Sequence, residues 1–292
     1  MVGAVTFADT VKRIEAIQAR DTAEINPLCR TRFFSHGERV ARAIVFLHGY
    51  TNDPAMFAQL GEAFFARGYN VFIPRLPLHG FANRLTDAHA KLNADELRAE
   101  TNAALDIARG LGDHITIAGI SLGGVLAAFA AQSRADVDRA VLIAPAFSTA
   151  RFPMRANTAL AHALLKLPNR FIWWDSKQKA NLEPAHAYPR FSTHALARSY
   201  LIGADIYQRA RKEKPAARAI LSITTAPDPA VNNRVTAQLV ARWRARGAAV
   251  REYEFRGAQI PSLHDIIDPA QPAQRIDLFY PVLIDLISEI GS

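Results

Sequence analysis

Gly119-Ile120-Ser121-Leu122-Gly123 lies where a run of apolar residues changes into a run rich in alanine. Residues 114–118, before it, are typical of a buried strand, and residues 122–132, after it, are typical of a helix of small side chains. Ser121 is therefore predicted to stand on a sharp turn at the carboxyl end of a strand, where the flanking glycines remove the Cβ atoms that would crowd it. This pattern is typical of a nucleophile elbow. The alternative is a packing turn in which the serine caps the helix.

Strands and helices alternate along most of the chain. The candidate strands are largely continuous apolar runs, as expected for strands that helices cover on both faces. They span residues 42–48, 69–73, 114–118, 140–143, 219–223 and 250–255. The candidate helices span residues 54–67, 93–109, 122–132 and 233–246, with a last helix over residues 276–290. Repeated strand–helix units with right-handed crossovers predict an α/β fold with a doubly wound, mostly parallel sheet.

Two segments do not follow this alternation. Residues 1–28 are predicted to form an N-terminal helical extension, with a helix over residues 7–24 and an edge strand over residues 29–35 after it. Between residues 148 and 215 the strand pattern stops, and prolines separate several short helical stretches. Because this segment separates two core strands, we expect a helical cap inserted within one α/β domain of residues 1–292, above the carboxyl ends of the strands.

The composition limits the cellular setting and the chemistry of the single cysteine. No segment approaches the roughly 18 consecutive apolar residues of a membrane span, and the first 20 residues lack the apolar core of a signal peptide. We therefore expect a cytoplasmic protein without stable membrane insertion. The lone Cys29 excludes an internal disulfide and a cysteine-based zinc site, and is expected to be a small buried apolar group.

The net charge of +8 raises the question of a polyanionic partner such as nucleic acid. Most arginines are scattered singly along the chain, and the densest cluster, residues 242–246, falls on the polar side of one predicted helix. We therefore predict a solvated helix face there, with anion binding as the alternative, and no nucleic-acid partner. The sequence leaves the oligomeric state open.

A serine hydroxyl becomes a strong nucleophile only when a base takes its proton and a third group orients that base. In this architecture the acid and the histidine follow the nucleophile, on loops after later strands. Asp228 follows the fifth candidate strand and His264 follows the sixth, so both are expected at the end of the sheet where Ser121 lies. A turn role between prolines is the alternative for Asp228. Asp265 and Asp268 are weaker candidates for the acid because they lie too close to His264 in the sequence to occupy a separate loop, and Asp205, in the cap, ranks below them.

Acyl transfer places negative charge on the former carbonyl oxygen, where preorganised N–H donors can supply about 3 kcal/mol or more. One candidate donor is the backbone N–H of Leu122, directly after Ser121 at a helix N-terminus. The second is the N–H of Tyr50, in the loop after the first long strand, where Gly49 permits close backbone approach. His48, at the end of that strand, is expected to make a structural hydrogen bond rather than act as a base.

The cap contains four consecutive large apolar residues, Phe171-Ile172-Trp173-Trp174. A helix that is apolar all round is usually packed on all sides, so burial within a small core of the cap is one expectation. The other is that these residues face the site and bury part of an acyl chain. Trp173 and Trp174 are therefore the candidate substrate-binding residues.

Taken together, these motifs resemble the α/β-hydrolase superfamily. The resemblance rests on Leu47-His48-Gly49-Tyr50, on residues 119–124, and on Asp228 and His264 in that order. Residues 74–80, after the second strand, and the helical insert look like the carboxylesterase and monoacylglycerol-lipase group. The resemblance covers the chain from residue 42 to its end.

The resemblance implies a serine hydrolase that uses no cofactor or metal and cleaves carboxylic esters of small to medium acyl chain through an acyl-enzyme. By position it makes Ser121 the nucleophile, His264 the base and then the acid, and Asp228 the residue that orients the histidine. It makes the N–H groups of Tyr50 and Leu122 the oxyanion donors, and a small-molecule ester the partner. Two alternatives stay open: an acyltransferase with the same triad, and a ligand-binding protein on a hydrolase fold without activity.

Overall fold

The computed structural model describes residues 6–289 of the chain. The first five residues of the predicted N-terminal extension, and Ile290 of the predicted last helix, lie outside the described residues.

A sheet of seven strands forms the centre of the fold. In chain order its strands are β1 (Arg32–Phe34), β2 (Val40–Leu47), β3 (Tyr69–Ile73), β4 (Gly112–Ile120), β5 (Arg139–Ile143), β8 (Ala219–Thr225) and β9 (Val250–Phe255), while β6 (Phe171–Trp173) and β7 (Arg190–Ser192) form a separate hairpin. The spatial order in the sheet is β1-β3-β2-β4-β5-β8-β9. Only the edge strand β1 runs antiparallel to its neighbour, which confirms the predicted mostly parallel sheet.

Helices cover both faces of this sheet. They are α1 (Phe7–Gln18), α2 (Ala58–Phe65), α3 (Ala94–Leu111), α4 (Leu122–Ser133), α5 (Met154–Lys166), α6 (Thr193–Arg209), α7 (Asn233–Ala245) and α8 (Ile276–Ser288). Successive residues of β2 alternate between two cores: Val45 and Leu47 pack with α3 and α4, whereas Ile44 and Phe46 pack with α2 and α8. Because both faces are buried over residues 43–47, this part of the strand needs an apolar residue at every position, which explains the continuous run in the sequence.

The N-terminal segment differs from its prediction in extent. Helix α1 ends at Gln18, and the edge strand keeps only the three residues of β1. The carboxylate of Asp21 accepts a hydrogen bond from the backbone N–H of Thr31 (2.7 Å) and one from Nε of Arg75 (2.7 Å). These bonds hold the chain in a turn directly after the helix, which prevents the helix from continuing.

Between β5 and β8 the chain leaves the sheet, in the segment predicted to be a cap. The expectation of several short helices is wrong in detail, because this segment holds two long helices, α5 and α6, and the antiparallel hairpin β6–β7. The apolar run Phe171-Ile172-Trp173 forms the first strand of that hairpin rather than a helix. Aromatic and β-branched residues favour an extended strand when a partner strand lies beside them.

The arginine-rich end of α7 binds the protein's own chain. Arg242 donates to the carbonyl of Tyr207 (2.6 Å), and its guanidinium lies 3.6 Å from the centre of that tyrosine ring. Arg244 donates to the carbonyl of Val250 and pairs with Glu252. These contacts join α7 to α6 and β9.

In the described part of the chain, none of the helices has both the length and the apolar character needed to span a bilayer.

Candidate active site

Ser121 occupies the sharp turn between β4 and α4 in a conformation that few non-glycine residues adopt. Its φ is 57° and its ψ is −115°, which costs roughly 1–3 kcal/mol of backbone strain. The turn is held by hydrogen bonds from the N–H of Ser121 to the carbonyl of Ile143 (3.1 Å) and from the N–H of Ala146 to the carbonyl of Ser121 (3.1 Å). The Ser121 side chain makes no capping hydrogen bond to α4, so the interpretation as a simple helix cap is wrong.

The two glycines beside Ser121 are required by close packing. A Cβ on Gly119 would overlap the backbone of Gly123, and a Cβ on Gly123 would overlap the carbonyl of Leu47. The turn and the end of β2 can approach each other this closely only without those atoms. This geometry agrees with the elbow expected from the sequence.

Asp228 and His264 meet on neighbouring loops after β8 and β9. Oδ2 of Asp228 lies 2.8 Å from Nδ1 of His264. The other oxygen, Oδ1, accepts the backbone N–H groups of Ala230 (2.8 Å) and Val231 (3.2 Å). The Asp228 side chain is completely buried, so these bonds fix the carboxylate and, through it, the orientation of the imidazole. The second ring nitrogen, Nε2, is left for another partner.

The surroundings of His264 change its basicity in opposing ways. Burial, the largest single effect, lowers the pKa of His264, but the hydrogen bond that its Nδ1–H donates to Asp228 and the charges of Asp228 and Asp265 outweigh it and raise that pKa above its ordinary value. The carboxylate of Asp265 binds elsewhere, accepting from Nδ2 of Asn52 (3.0 Å) and from Nε2 of Gln271 (3.1 Å). Asp228 is therefore the carboxylate placed on the His264 ring.

Two backbone N–H groups near Ser121 are free to bind a ligand. Within residues 6–289, neither the N–H of Tyr50 nor that of Leu122 has a hydrogen-bond acceptor. A Cβ built on Gly49 would lie 3.4 Å from Cβ of Ser121, which shows how closely the loop after β2 approaches the elbow. Thr51 has a φ of 67°, so the loop turns back at the residue after Tyr50.

The side chain of Tyr50 is buried and fixed by contacts that the sequence did not predict. Its hydroxyl accepts the backbone N–H of Ser192 in β7 (3.0 Å) and donates to Nδ1 of His89 (2.9 Å). No short motif marks His89 or Ser192, because both reach Tyr50 only through the tertiary fold.

His48 has the structural role that the sequence predicts: its Nδ1–H donates to the carbonyl of Gly49 (2.9 Å) and its Nε2 accepts the N–H of Leu76 (3.0 Å). Complete burial lowers the pKa of His48 to about 3, so the ring is neutral.

Ser121 and His264 line one cavity of about 460 Å³, a size typical of small-molecule sites. Its wall is mainly apolar, and the segment between β5 and β8 supplies about half of the lining. Apolar lining residues from both parts of the chain include Met56, Ile120, Leu122, Leu182, Phe191, Leu196, Tyr200, Val231 and Leu263. Within residues 6–289, no cluster of His, Cys, Asp and Glu side chains has the arrangement of a metal site.

The two candidate tryptophans differ in their relation to this cavity. Trp174 lines it, and its indole Nε1–H donates to Oγ1 of Thr51 (2.9 Å). Trp173 is not among the described residues that line the cavity, and its ring lies 5.8 Å from the guanidinium of Arg190. Neighbouring residues point to opposite faces at the end of the hairpin, so only one of the two reaches the cavity.

Residues 44–275 match the Alpha/beta hydrolase family, and the chain belongs to that family. This match covers the elbow, the loop of Tyr50 and the positions of Asp228 and His264. No match is found among curated protein sequences.

Solved structures of hydrolases share this fold. A structure reported for LipS and LipT, two metagenome-derived lipolytic enzymes, is 22% identical, with a TM-score of 0.68 over 90% of this chain and 98% of that chain. The monoacylglycerol lipase of Paleococcus ferrophilus is 16% identical, with a TM-score of 0.64 over 88% of this chain and 97% of its own. A soluble variant of monoglyceride lipase from Saccharomyces cerevisiae is 13% identical, with a TM-score of 0.65 over 90% of this chain and 92% of its own.

Proposed function

We propose that this protein is a serine hydrolase that cleaves carboxylic esters through an acyl-enzyme. The observation that carries the proposal is that His264, whose Nδ1 lies 2.8 Å from Oδ2 of Asp228, lines the same cavity as Ser121, which stands in a strained elbow. Strain of this kind persists where the surrounding structure over-determines it, as at a nucleophile. The lipases with the same fold support an ester as the substrate.

In the first half of the reaction, Nε2 of His264 takes the proton of Ser121 while Oγ forms a bond to the ester carbonyl carbon. The N–H groups of Tyr50 and Leu122 bind the oxyanion that forms. The carbon–oxygen bond to the alcohol then breaks, and His264 gives its proton to the departing alcohol. Asp228 stabilises the imidazolium during these steps and stays ionised.

In the second half, a water molecule replaces the alcohol. His264 removes a proton from the water as its oxygen attacks the acyl carbon, and the same N–H groups bind the second oxyanion. The bond to Oγ of Ser121 breaks, the serine regains its proton from His264, and the carboxylic acid leaves. The enzyme returns to its starting state with one ester and one water converted to an acid and an alcohol.

The cavity supports acyl chains of small to medium length as substrates. Its volume of about 460 Å³ and its mainly apolar wall suit a short aliphatic chain. Trp174, whose indole is anchored to Thr51, is the residue that we assign to the wall for the acyl chain. Each methylene buried there contributes about 0.8 kcal/mol.

The proposal is tested by comparing Ser121→Ala with Ser176→Ala, a control serine that is exposed in the same chain. We expect Ser121→Ala to lose roughly 10⁴-fold or more in kcat on p-nitrophenyl butyrate, because the nucleophile is removed. Ser176→Ala should match the wild type. A Ser121→Ala protein that is free of contaminating hydrolase and keeps a tenth of wild-type activity would contradict the proposal.

A further inference from the structure

A buried histidine outside the proposed catalytic residues joins two carboxylates. Nδ1 of His186 lies 2.8 Å from Oδ2 of Asp53, and Nε2 lies 3.1 Å from Oδ2 of Asp268. The side chain of His186 is only 7% exposed, and those of the two aspartates are 1% and 2% exposed. The cluster is therefore a charged group within the protein interior.

The three residues come from three parts of the chain that meet at the active site. Asp53 ends the loop that carries Tyr50, and Asp268 lies four residues after His264. His186 belongs to the segment between β5 and β8, shortly before β7. One imidazole thus binds the loop of the proposed oxyanion donor and the loop of the proposed base at the same time.

Each carboxylate is also tied to its own loop. Oδ1 of Asp53 accepts the N–H of Ala55 (2.9 Å), and Oδ1 of Asp268 accepts the N–H of Ala270 (3.0 Å). A displacement of either carboxylate therefore moves the backbone of its loop. A second link runs beside the first, from Nδ2 of Asn52 to Oδ2 of Asp265 (3.0 Å). Asn52 thus reaches the loop of His264 directly, whereas the adjacent Asp53 reaches it only through His186.

The two carboxylates around His186 favour its charged form. Both ring nitrogens face a carboxylate oxygen, and only the imidazolium has an N–H on each nitrogen. Burial acts to lower the pKa of His186, but the two aspartates outweigh it and raise that pKa to about 10. The cation offsets the charge of two carboxylates that are buried beside it.

We propose that His186 is a positioning residue that fixes the loop of Tyr50 relative to the loop of His264 by binding Asp53 and Asp268 at once. This inference rests on the proposed function, because it concerns the N–H donor and the base of that reaction. His186 does not touch the substrate in this role. It acts through Asp53 and Asp268, by holding the Tyr50 N–H and the His264 ring at the separation that the tetrahedral intermediate requires.

The expected effect falls on the chemical step. A misplacement of about 1 Å in a catalytic group lowers the rate roughly 100-fold. Because the N–H donors bind the oxyanion more strongly than the ground-state carbonyl, their displacement lowers kcat while leaving KM nearly unchanged. A residue needed only for folding lowers the melting temperature and the amount of active protein, but not kcat per folded site.

The test uses variants in which the cluster is no more negatively charged than in the wild type, where one cation faces two carboxylates. His186→Gln leaves two buried carboxylates without a cation, so the main variant is the double replacement His186→Gln with Asp268→Asn, which removes one charge of each sign. Asp53→Asn breaks the link from the other end. His162→Gln, at an exposed histidine of α5, is the matched control. Wild type and Ser121→Ala are assayed beside them.

Three quantities are measured for each protein: kcat and KM on p-nitrophenyl acetate, affinity for a trifluoromethyl ketone that forms a tetrahedral adduct with the serine, and melting temperature. Active sites are counted by fluorophosphonate titration, so that kcat refers to folded protein. We expect the double variant and Asp53→Asn to lose roughly 10- to 100-fold in kcat and to lose ketone affinity in parallel, with KM within about twofold. His162→Gln should match the wild type.

The inference is overturned if the double variant keeps wild-type kcat and ketone affinity while only its melting temperature changes. Failure of the proposed function gives a different pattern, because Ser121→Ala would then hydrolyse the ester as fast as the wild type. A wild type that neither hydrolyses the ester nor binds the ketone would overturn both.

Discussion

Asp228 binds His264 with one carboxylate oxygen and its own loop with the other. Oδ2 lies 2.8 Å from Nδ1 of the imidazole, while Oδ1 accepts the N–H groups of Ala230 and Val231. The carboxylate therefore cannot rotate away from the ring without breaking bonds to its own backbone. This arrangement selects the histidine tautomer with a proton on Nδ1 and a free Nε2, the form that a general base for serine requires.

The first prediction separates the two carboxylates near His264. Asp228→Asn places an amide on Nδ1 and favours the wrong tautomer, so we expect kcat to fall roughly 10⁴-fold. Asp265→Asn should cost far less, because its carboxylate binds Asn52 and Gln271 rather than the His264 ring. Steady-state kinetics on p-nitrophenyl butyrate, with melting temperatures as the folding control, provide the measurement. The opposite ranking would transfer the orienting role to Asp265.

The second prediction concerns the acid side of the pH profile. In the proposed mechanism His264 acts as a base only when its ring is neutral, and its pKa is raised above the ordinary value of 6.5. Activity should therefore be full above the raised pKa and decline as the pH falls through it, with a midpoint above 6.5. Asp265→Asn removes one of the charges that raise this pKa, so its midpoint should move to lower pH. An unchanged midpoint in that variant would contradict the role given to the Asp265 charge.

The third prediction uses the neighbouring tryptophans as a matched pair. Trp174→Ala removes part of the cavity wall, so we expect kcat/KM to fall several-fold for hexanoate esters and to change little for acetate. Trp173→Ala should leave the preference for acyl length unchanged, because that side chain packs near Arg190 instead. The measurement is a series of p-nitrophenyl esters of increasing length. If Trp174→Ala loses equally in kcat/KM for esters of all lengths, Trp174 is not part of the acyl site.

The fourth prediction concerns the strain at the elbow. Ser121 has a φ of 57°, which glycine adopts without penalty and alanine does not. Ser121→Gly should therefore be more stable to denaturation than Ser121→Ala by about 1 kcal/mol, although we expect both to be inactive. Urea unfolding of the two variants checks this. Equal stability would show that the backbone of Ser121 is not strained.

Much of the fold could be predicted because its determinants are local in sequence. The Ser121 elbow combines a buried strand, two glycines and a helix within a few residues, and the positions of Asp228 and His264 follow from chain order on a parallel sheet. The alternation of β2 between two cores likewise follows from its apolar run.

Features that depend on distant pairing could not be predicted. The strand Phe171–Trp173 forms because Arg190–Ser192 pairs with it, and an apolar run alone does not distinguish a strand from a buried helix. For the same reason, the sequence did not distinguish the positions of Trp173 and Trp174 relative to the cavity. The contacts of His186 with Asp53 and Asp268 join residues far apart in the chain, and no motif marks them.

The most direct test of the central claim is to locate the residue that a fluorophosphonate modifies. The probe forms a stable phosphonate ester with an activated serine and leaves ordinary serines unmodified. Digestion and tandem mass spectrometry of the labelled wild type should place the adduct on Ser121, and Ser121→Ala should remain unlabelled. An adduct on another residue, or a wild type that stays unlabelled, would contradict the account.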